Sequence, residues 1–235
     1  MVRAKLYLVM AILGLLAVPI VACSSAPTHT SDPSTIVETE EPMLSTTLKR
    51  NCPPTVRGNF DSVGLAIGET AVNFTLKDIH GNEFVLSRLL AEKPVVMVFG
   101  SFTCPPFRRL CAANDTLSDK YGDQVHFIII HVRESHAVDT GRPSLYTYDE
   151  EGNPIYESQT YDERLEVARK TVAAEGITVP VLVDEMDNPL WCTYGPAPNI
   201  AYLIATDGTI VEKQGWYQPQ EMEVAIIEYL ARDDN

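Results

Sequence analysis

The sequence is poor in features that mark several functional classes. It has no C-x-x-C pair and no Cys/His pair at ligand spacing, so no zinc pattern is written in it. Cationic residues are scarce, 18 Lys and Arg against 32 Asp and Glu. The resulting net charge of −14 repels nucleic acid and anionic lipid and excludes both as partners. No internal repeat is present. The apolar run from Leu6 to Val21 is shorter than the roughly 20 residues of a comfortable membrane span. What remains is an ordinary globular balance, 45% hydrophobic and 21% charged, in 235 residues. That length suits one domain with extra segments.

The first residues have the pattern of a processing signal. Arg3 and Lys5 precede the apolar run, which ends in Ile20-Val21-Ala22-Cys23-Ser24-Ser25. This resembles the bacterial lipobox, in which the cysteine takes a lipid and becomes the first mature residue. Residues 1–22 are therefore expected to be a signal peptide and Cys23 the lipidation site. An uncleaved anchor or a plain secretory signal would also put the remainder outside the cytoplasm. Residues 23–60 are rich in Ser, Thr, Pro and Glu, and read as a disordered tether. Residues 61–235 form the domain. It is expected to be extracytoplasmic and to meet the membrane through the lipid alone.

Within the domain, periodicity separates strands from helices. Val72–Leu76 and Glu83–Leu86 flank a His80-Gly81-Asn82 turn and read as a hairpin. Ser87–Glu92 reads as a short helix. Pro94–Phe99 and Val125–Val132 are continuous apolar runs, the mark of strands buried on both faces. Pro105–Lys120 reads as the helix between them. Residues 137–160 hold turn formers and form a long loop. Tyr161–Glu175 reads as an amphipathic helix with Leu165, Ala168, Val172 and Ala173 on its apolar face. Val179–Val183 is a further strand. Ile200–Ala205 and Thr209–Lys213 flank an Asp207-Gly208 turn, and Pro219–Ala231 closes the chain as a helix. This order predicts an α/β, thioredoxin-like fold: a central mixed sheet flanked by helices, with an N-terminal hairpin and a loop insertion.

Of five cysteines, Cys104 has the most informative surroundings. It follows a buried strand and precedes Pro105-Pro106, residues suited to a first helical turn. A thiol at that N-cap faces free N–H groups and the positive end of the helix dipole. A pKa lowered from about 8.5 to about 6.5 would raise the thiolate fraction at neutral pH from roughly 3% to roughly 75%. Cys104 is thus the candidate nucleophile. Cys192 and Cys111 are candidate resolving thiols, with Cys52 in the tether a further one. Cys111 also reads as a helix core residue, because seven helical residues rise about 10.5 Å, beyond the reach of a disulfide. His136 follows the second apolar strand, at the ligand side of such sheets, and is a candidate proton donor or binding group. His126 and His131 read as structural. Pro198 is a candidate cis-proline.

GSFTCPPF, residues 100–107, resembles the active-site signature of the iodothyronine deiodinases, with Cys104 in the selenocysteine position. The likeness extends in order through IIIHVRESHAVD, TYDERLEVARK, VPVLVDEMDN and YGPAPNIAYLI, over roughly residues 65–230. It implies Cys104 as nucleophile, with Ser101 and Thr103 as polar neighbours. It further implies His136 as a substrate contact and Tyr194 as a proton-transfer group. Two positions depart from the family. Sulfur replaces selenium, and Ile200 stands where the family has an Arg that helps hold the hormone. Peroxiredoxins are neighbouring relatives. Ser101 fits their T/S-x-x-C pattern, and Arg108 or Arg109 would have to stand in for their peroxide-polarising Arg, unless that helix face is merely solvated.

The expectation is an extracytoplasmic thiol oxidoreductase that reduces peroxide or disulfide. Alternatives are reductive dehalogenation of iodinated aromatics such as thyroxine, and a binding module without turnover. The expected partners are a small-molecule substrate and an external thiol reductant, either a thioredoxin-like protein or a small thiol. No metal or other cofactor is expected beyond that thiol co-substrate.

Overall fold

A computed structural model describes residues 40–50, 52, 60–197 and 199–233. The signal peptide, Cys23, the first part of the tether and Pro198 lie outside the described residues. Among the described residues, no helix is long and apolar enough to cross a membrane.

The elements run β1 (Thr75–Asp78), β2 (Glu83–Val85), α1 (Leu86–Glu92), β3 (Val95–Gly100), α2 (Pro105–Tyr121) and β4 (His126–His131). They continue as α3 (Tyr161–Glu175), β5 (Val181–Val183), α4 (Pro189–Tyr194), β6 (Ala201–Ile204), β7 (Ile210–Gln214) and α5 (Pro219–Asp233). All seven strands join one sheet in the order β2-β1-β5-β4-β3-β6-β7. The centre is parallel, β3 with β4 and β4 with β5, and the other pairings are antiparallel. The expected thioredoxin-like arrangement is the one observed.

Strand periodicity divides the interior in two. Val95, Met97 and Phe99 of β3 point to one face, where α1 and α4 pack with Leu86, Leu90, Leu190 and Tyr194. Val96 and Val98 point to the other face, against Phe107 and Leu117 of α2, Ala168 of α3 and Met222 of α5. Both faces of β3 and β4 are therefore dry, which explains their unbroken apolar runs. The polar connections have local causes. The Asp78 carboxylate accepts the His80 and Asn82 N–H groups at 2.8 Å each, closing the β1–β2 turn. Thr160 and Glu163 form a reciprocal capping box at the start of α3, and Gly176 ends that helix with φ 65°.

Two expectations need correction. The tether is not free up to residue 60. Leu44 and Leu48 pack against the core, Ser45 bridges to Val72, and the Lys49 N–H donates to Thr193 Oγ1 at 2.8 Å. Sparse apolar residues in a polar stretch suffice because the domain offers a ready surface for them. The buried face of α3 also differs. Arg164, Ala168 and Thr171 are buried, Leu165 and Val172 pack half-buried against the core as expected, and Ala173 is exposed. A polar residue at position 164 hid the phase of the helix.

The segment is also tied covalently, by a disulfide between Cys52 and Cys192 across 140 residues. Cys192 is therefore committed to Cys52 and not to Cys104. Cys192 belongs to the core layer of α4, whereas Cys104 belongs to the layer of α2. By chain-entropy reasoning a loop of this length contributes about 5 kcal/mol against unfolding. Peptide mapping without reductant is expected to recover the Cys52–Cys192 pair. Cys192→Ser is expected to lower the urea midpoint, with a stability loss of about 2–5 kcal/mol. An unchanged midpoint would refute the staple.

Candidate functional site

The parallel strands β3, β4 and β5 end at one edge of the sheet, and the loops that follow them carry the site. The β3 loop supplies Ser101, Phe102, Thr103 and Cys104. The β4 loop supplies Glu134, Ser135 and His136, and the β5 loop supplies Asp184 and Glu185. Gly100 permits the close approach of α2, since a Cβ there would collide with the Phe107 ring.

Cys104 is the N-cap of α2, as read from its prolines. Its N–H donates to the Ser101 carbonyl at 3.2 Å, and its own carbonyl accepts the Arg108 N–H at 3.0 Å. The side chain is closed in, with the residue 1% exposed. Burial pushes the thiol up to about 12, against the help of the Phe107 N–H, and the nearby Glu134 charge raises it further. This burial opposes the thiolate that the helix terminus alone would favour at neutral pH. The helix terminus is present, but desolvation outweighs it.

Glu134 organises the loop. Its carboxylate accepts the Phe102 N–H at 3.1 Å, the Thr103 N–H at 2.7 Å and the Thr103 hydroxyl at 2.6 Å. His131 Nε2 lies 3.4 Å away. Burial alone would raise this carboxyl, but hydrogen bonds from His131 and Thr103 outweigh it and hold it below the ordinary range. The sequence reading passed over Glu134. The available signal was its place just after a buried strand and two residues before His136.

The structure also brings His136 to this edge. Its N–H donates to Thr103 Oγ1 at 3.0 Å, and its ring Nδ1 lies 2.7 Å from the Arg142 carbonyl. A carbonyl can only accept, so Nδ1 carries the proton and Nε2 is the basic nitrogen of the neutral ring. Ser101 is fully buried, with its hydroxyl 3.4 Å from that of Ser135. The insertion covers this region. Ser144 Oγ donates to the Thr103 carbonyl at 2.9 Å, and the Tyr146 ring stacks on the Arg108 guanidinium.

Other candidates fall elsewhere. Tyr194 is expected beside Cys104, yet its hydroxyl is bound to the Val72 backbone in the opposite core layer, and burial drives its pKa well up. Proton transfer from this phenol to Cys104 has no support in that placement. Cys111 is a buried core residue of an unbroken α2. Burial and the Glu175 charge push its thiol up to about 12. Pairing with Cys104 would require α2 to unwind, so neither resolving candidate is placed to act. Arg108 is buried between the Phe102 and Tyr146 rings and paired with Glu175, not solvated, whereas Arg109 is exposed. Ile200 is fully buried in the core. Among the described residues, no group of three His, Cys, Asp or Glu is placed to hold a metal.

A cavity of about 600 Å³ opens at the β4 loop, next to Glu134, Ser135 and His136, and Cys104 does not line it. Phe60, Trp191 and Trp216 form an aromatic wall, and Glu134, His136 and Arg142 lie in its polar wall. The family model for iodothyronine deiodinases matches residues 20–230. The chain belongs to the iodothyronine deiodinase family. It is 27% identical over 161 residues to type I iodothyronine deiodinase of Xenopus laevis, covering 66% of this chain and 61% of that protein. It is 30% identical over 159 residues to thyroxine 5-deiodinase of Ovis aries, covering 66% and 52%. The match thus spans roughly half to three fifths of these deiodinases. The fold is shared with the solution structure of a Bacteroides thetaiotaomicron protein proposed to be a disulfide isomerase. That likeness has a TM-score of 0.51 at 19% identity, over 72% of this chain and 92% of the other.

The buried thiol gives a directional test. At pH 7, Cys104 is expected to react with iodoacetamide more slowly than an unhindered cysteine, with the rate still rising above pH 10. A profile with its midpoint near 6.5 would mean that the helix terminus controls the thiol. Glu134→Gln removes the neighbouring negative charge and is expected to shift the profile to lower pH.

Proposed function

We propose that this protein is a thiol-dependent oxidoreductase with Cys104 as its nucleophile. The observation that carries the reading is a free thiol at a helix start, on a turn gripped by the buried Glu134 carboxylate, which itself lines an aromatic-walled cavity. The Cys104 sulfur attacks a soft electrophile. With a peroxide, the O–O bond breaks, an S–O bond forms, and the leaving alkoxide takes the thiol proton. Two equivalents of an external thiol then reduce the sulfenic acid, releasing water and a disulfide. No second thiol of the described residues lies where it would resolve Cys104, which favours an external reductant, a small thiol or a thioredoxin-like protein. Thiol chemistry of this kind calls for no metal or other cofactor. His136 contributes by binding substrate or accepting a proton at Nε2.

The lipobox-like segment supports an extracytoplasmic protein anchored through Cys23. The second reading, reductive dehalogenation of an iodinated aromatic, is favoured by family membership and by the Trp191–Trp216 wall. It is opposed by sulfur in place of selenium and by an apolar core residue at Ile200. Membership in an enzyme family weighs against a binding module without turnover.

Hydrogen peroxide consumption with dithiothreitol is expected to fall at least about a hundredfold in Cys104→Ser, the usual outcome of removing a nucleophile. Iodide release from thyroxine, lost in the same variant, would select the second reading. Equal rates in wild type and Cys104→Ser for both substrates would refute each of them.

A further inference from the structure

Arg164 stands out among groups that no step above uses. It sits on α3 with the residue 2% exposed, as buried as the large aromatic side chains of the core. A charge in such surroundings is expensive unless it is matched. Nη1 donates to the carbonyls of Asp184 at 3.2 Å and Glu185 at 2.8 Å, both in the β5 loop. Nη2 lies 3.6 Å from Glu157 Oε1, in the insertion. The other oxygen of Glu157 accepts the Glu134 N–H at 2.8 Å. Glu134 in turn holds the Phe102 and Thr103 N–H groups beside Cys104. One guanidinium thus links the loops after β5 and β4, the insertion and, through Glu134, the loop after β3.

We propose that Arg164 is a positioning residue for Cys104, acting through Glu157 and Glu134 on the turn that carries the thiol. The inference rests on Cys104 being the nucleophile and deepens that reading.

The charge matters as well as the shape. Asp184, Glu157 and Glu134 are three carboxylates in one interior region, and Arg164 interacts with all of them. The other groups facing this region are His131, Arg133 at the rim, Glu185, and the Tyr161 hydroxyl on the same helix as Arg164. Without the guanidinium, Glu157 keeps only Arg133 at the rim as a counter-charge and repels Glu134, which keeps His131. One of them then takes up a proton, and the grip on Phe102 and Thr103 changes. Arg is suited to this task because its planar fork serves several acceptors at once, which an ammonium cannot do.

The test is the pH profile of Cys104 alkylation by iodoacetamide, followed by mass spectrometry of the Cys104 peptide in the full chain. The variants are Arg164→Met, Arg164→Lys, Glu157→Gln and the double variant Arg164→Met/Glu157→Gln. Emission from the two tryptophans, both in the cavity wall, reports folding. In Arg164→Met the profile is expected to move to lower pH by about one unit or more, in the same direction as Glu134→Gln, because a protonated carboxyl no longer opposes the thiolate. Arg164→Lys is expected to recover part of the shift. The double variant is expected to match Glu157→Gln alone. A folded Arg164→Met with the wild-type profile would overturn the proposal, as would a double variant that differs from Glu157→Gln by the same shift. If Arg164→Met does not fold, the comparison of Glu157→Gln with the double variant decides in the same way. A wild-type Cys104 that stays unlabelled at every pH would instead bring down the nucleophile reading itself.

Discussion

The Glu134 carboxylate, closed in the interior and shared between the Phe102 and Thr103 N–H groups, is the constraint on which the site depends. It fixes the turn between β3 and α2, and so fixes where α2 begins. The start of α2 sets the place of Cys104. Removing one partner from a buried charge of this kind typically costs about 3–5 kcal/mol, because the remaining charge is left uncompensated. Thr103 contributes twice. Its hydroxyl donates to Glu134 and accepts the His136 N–H, so one side chain aligns the β3 and β4 loops. The insertion then closes over both through Ser144 and Thr147, which donate to the carbonyls of Thr103 and His136.

The same carboxylate shapes the electrostatics of the thiol. A helix N-terminus favours a neighbouring anion by about 0.3–1 kcal/mol, and by about 2 kcal/mol in partly buried geometries. The rise of the Cys104 thiol to about 12 corresponds to roughly 4–5 kcal/mol against the thiolate relative to a free cysteine. Desolvation therefore wins, with the Glu134 charge on its side. Burial thus favours the protonated thiol and closes it from solvent. The contacts of Ser144 and Tyr146 lie over the loop and helix that carry the sulfur.

Much of the fold was legible because its signals are local. β3 and β4 declare themselves as apolar runs, α2 by Pro105-Pro106, α3 by its amphipathic spacing, and the final hairpin by Asp207-Gly208. The convergence of Cys104 and His136 followed from the sheet edge, whereas Ser101 and Thr103 came from the family motif. What escaped depends on distance in sequence or on burial. Nothing near Cys52 or Cys192 announces a partner 140 residues away. Glu134 and Arg164 read as ordinary polar residues, since a single charged side chain carries no mark of whether the fold will enclose it. Tyr194 shows the reverse error. Its position in a family motif suggested chemistry, but α4 turns its hydroxyl into the core, where it binds both polar groups of the Val72 backbone.

Family membership and local chemistry constrain different parts of the function. Membership supports redox attack on a soft atom at the position of Cys104. The interior around Ile200 is dry and apolar, so no cation can reach a ligand from there without breaking the core. Anion recognition in the cavity must come instead from the β4 loop and the insertion, where Arg142 and His136 lie in the wall. That wall is also acidic, through Glu134 and Glu157. The cavity wall therefore carries both signs of charge, Arg133 and Arg142 against Glu134, Asp139 and Glu157, beside its aromatic side.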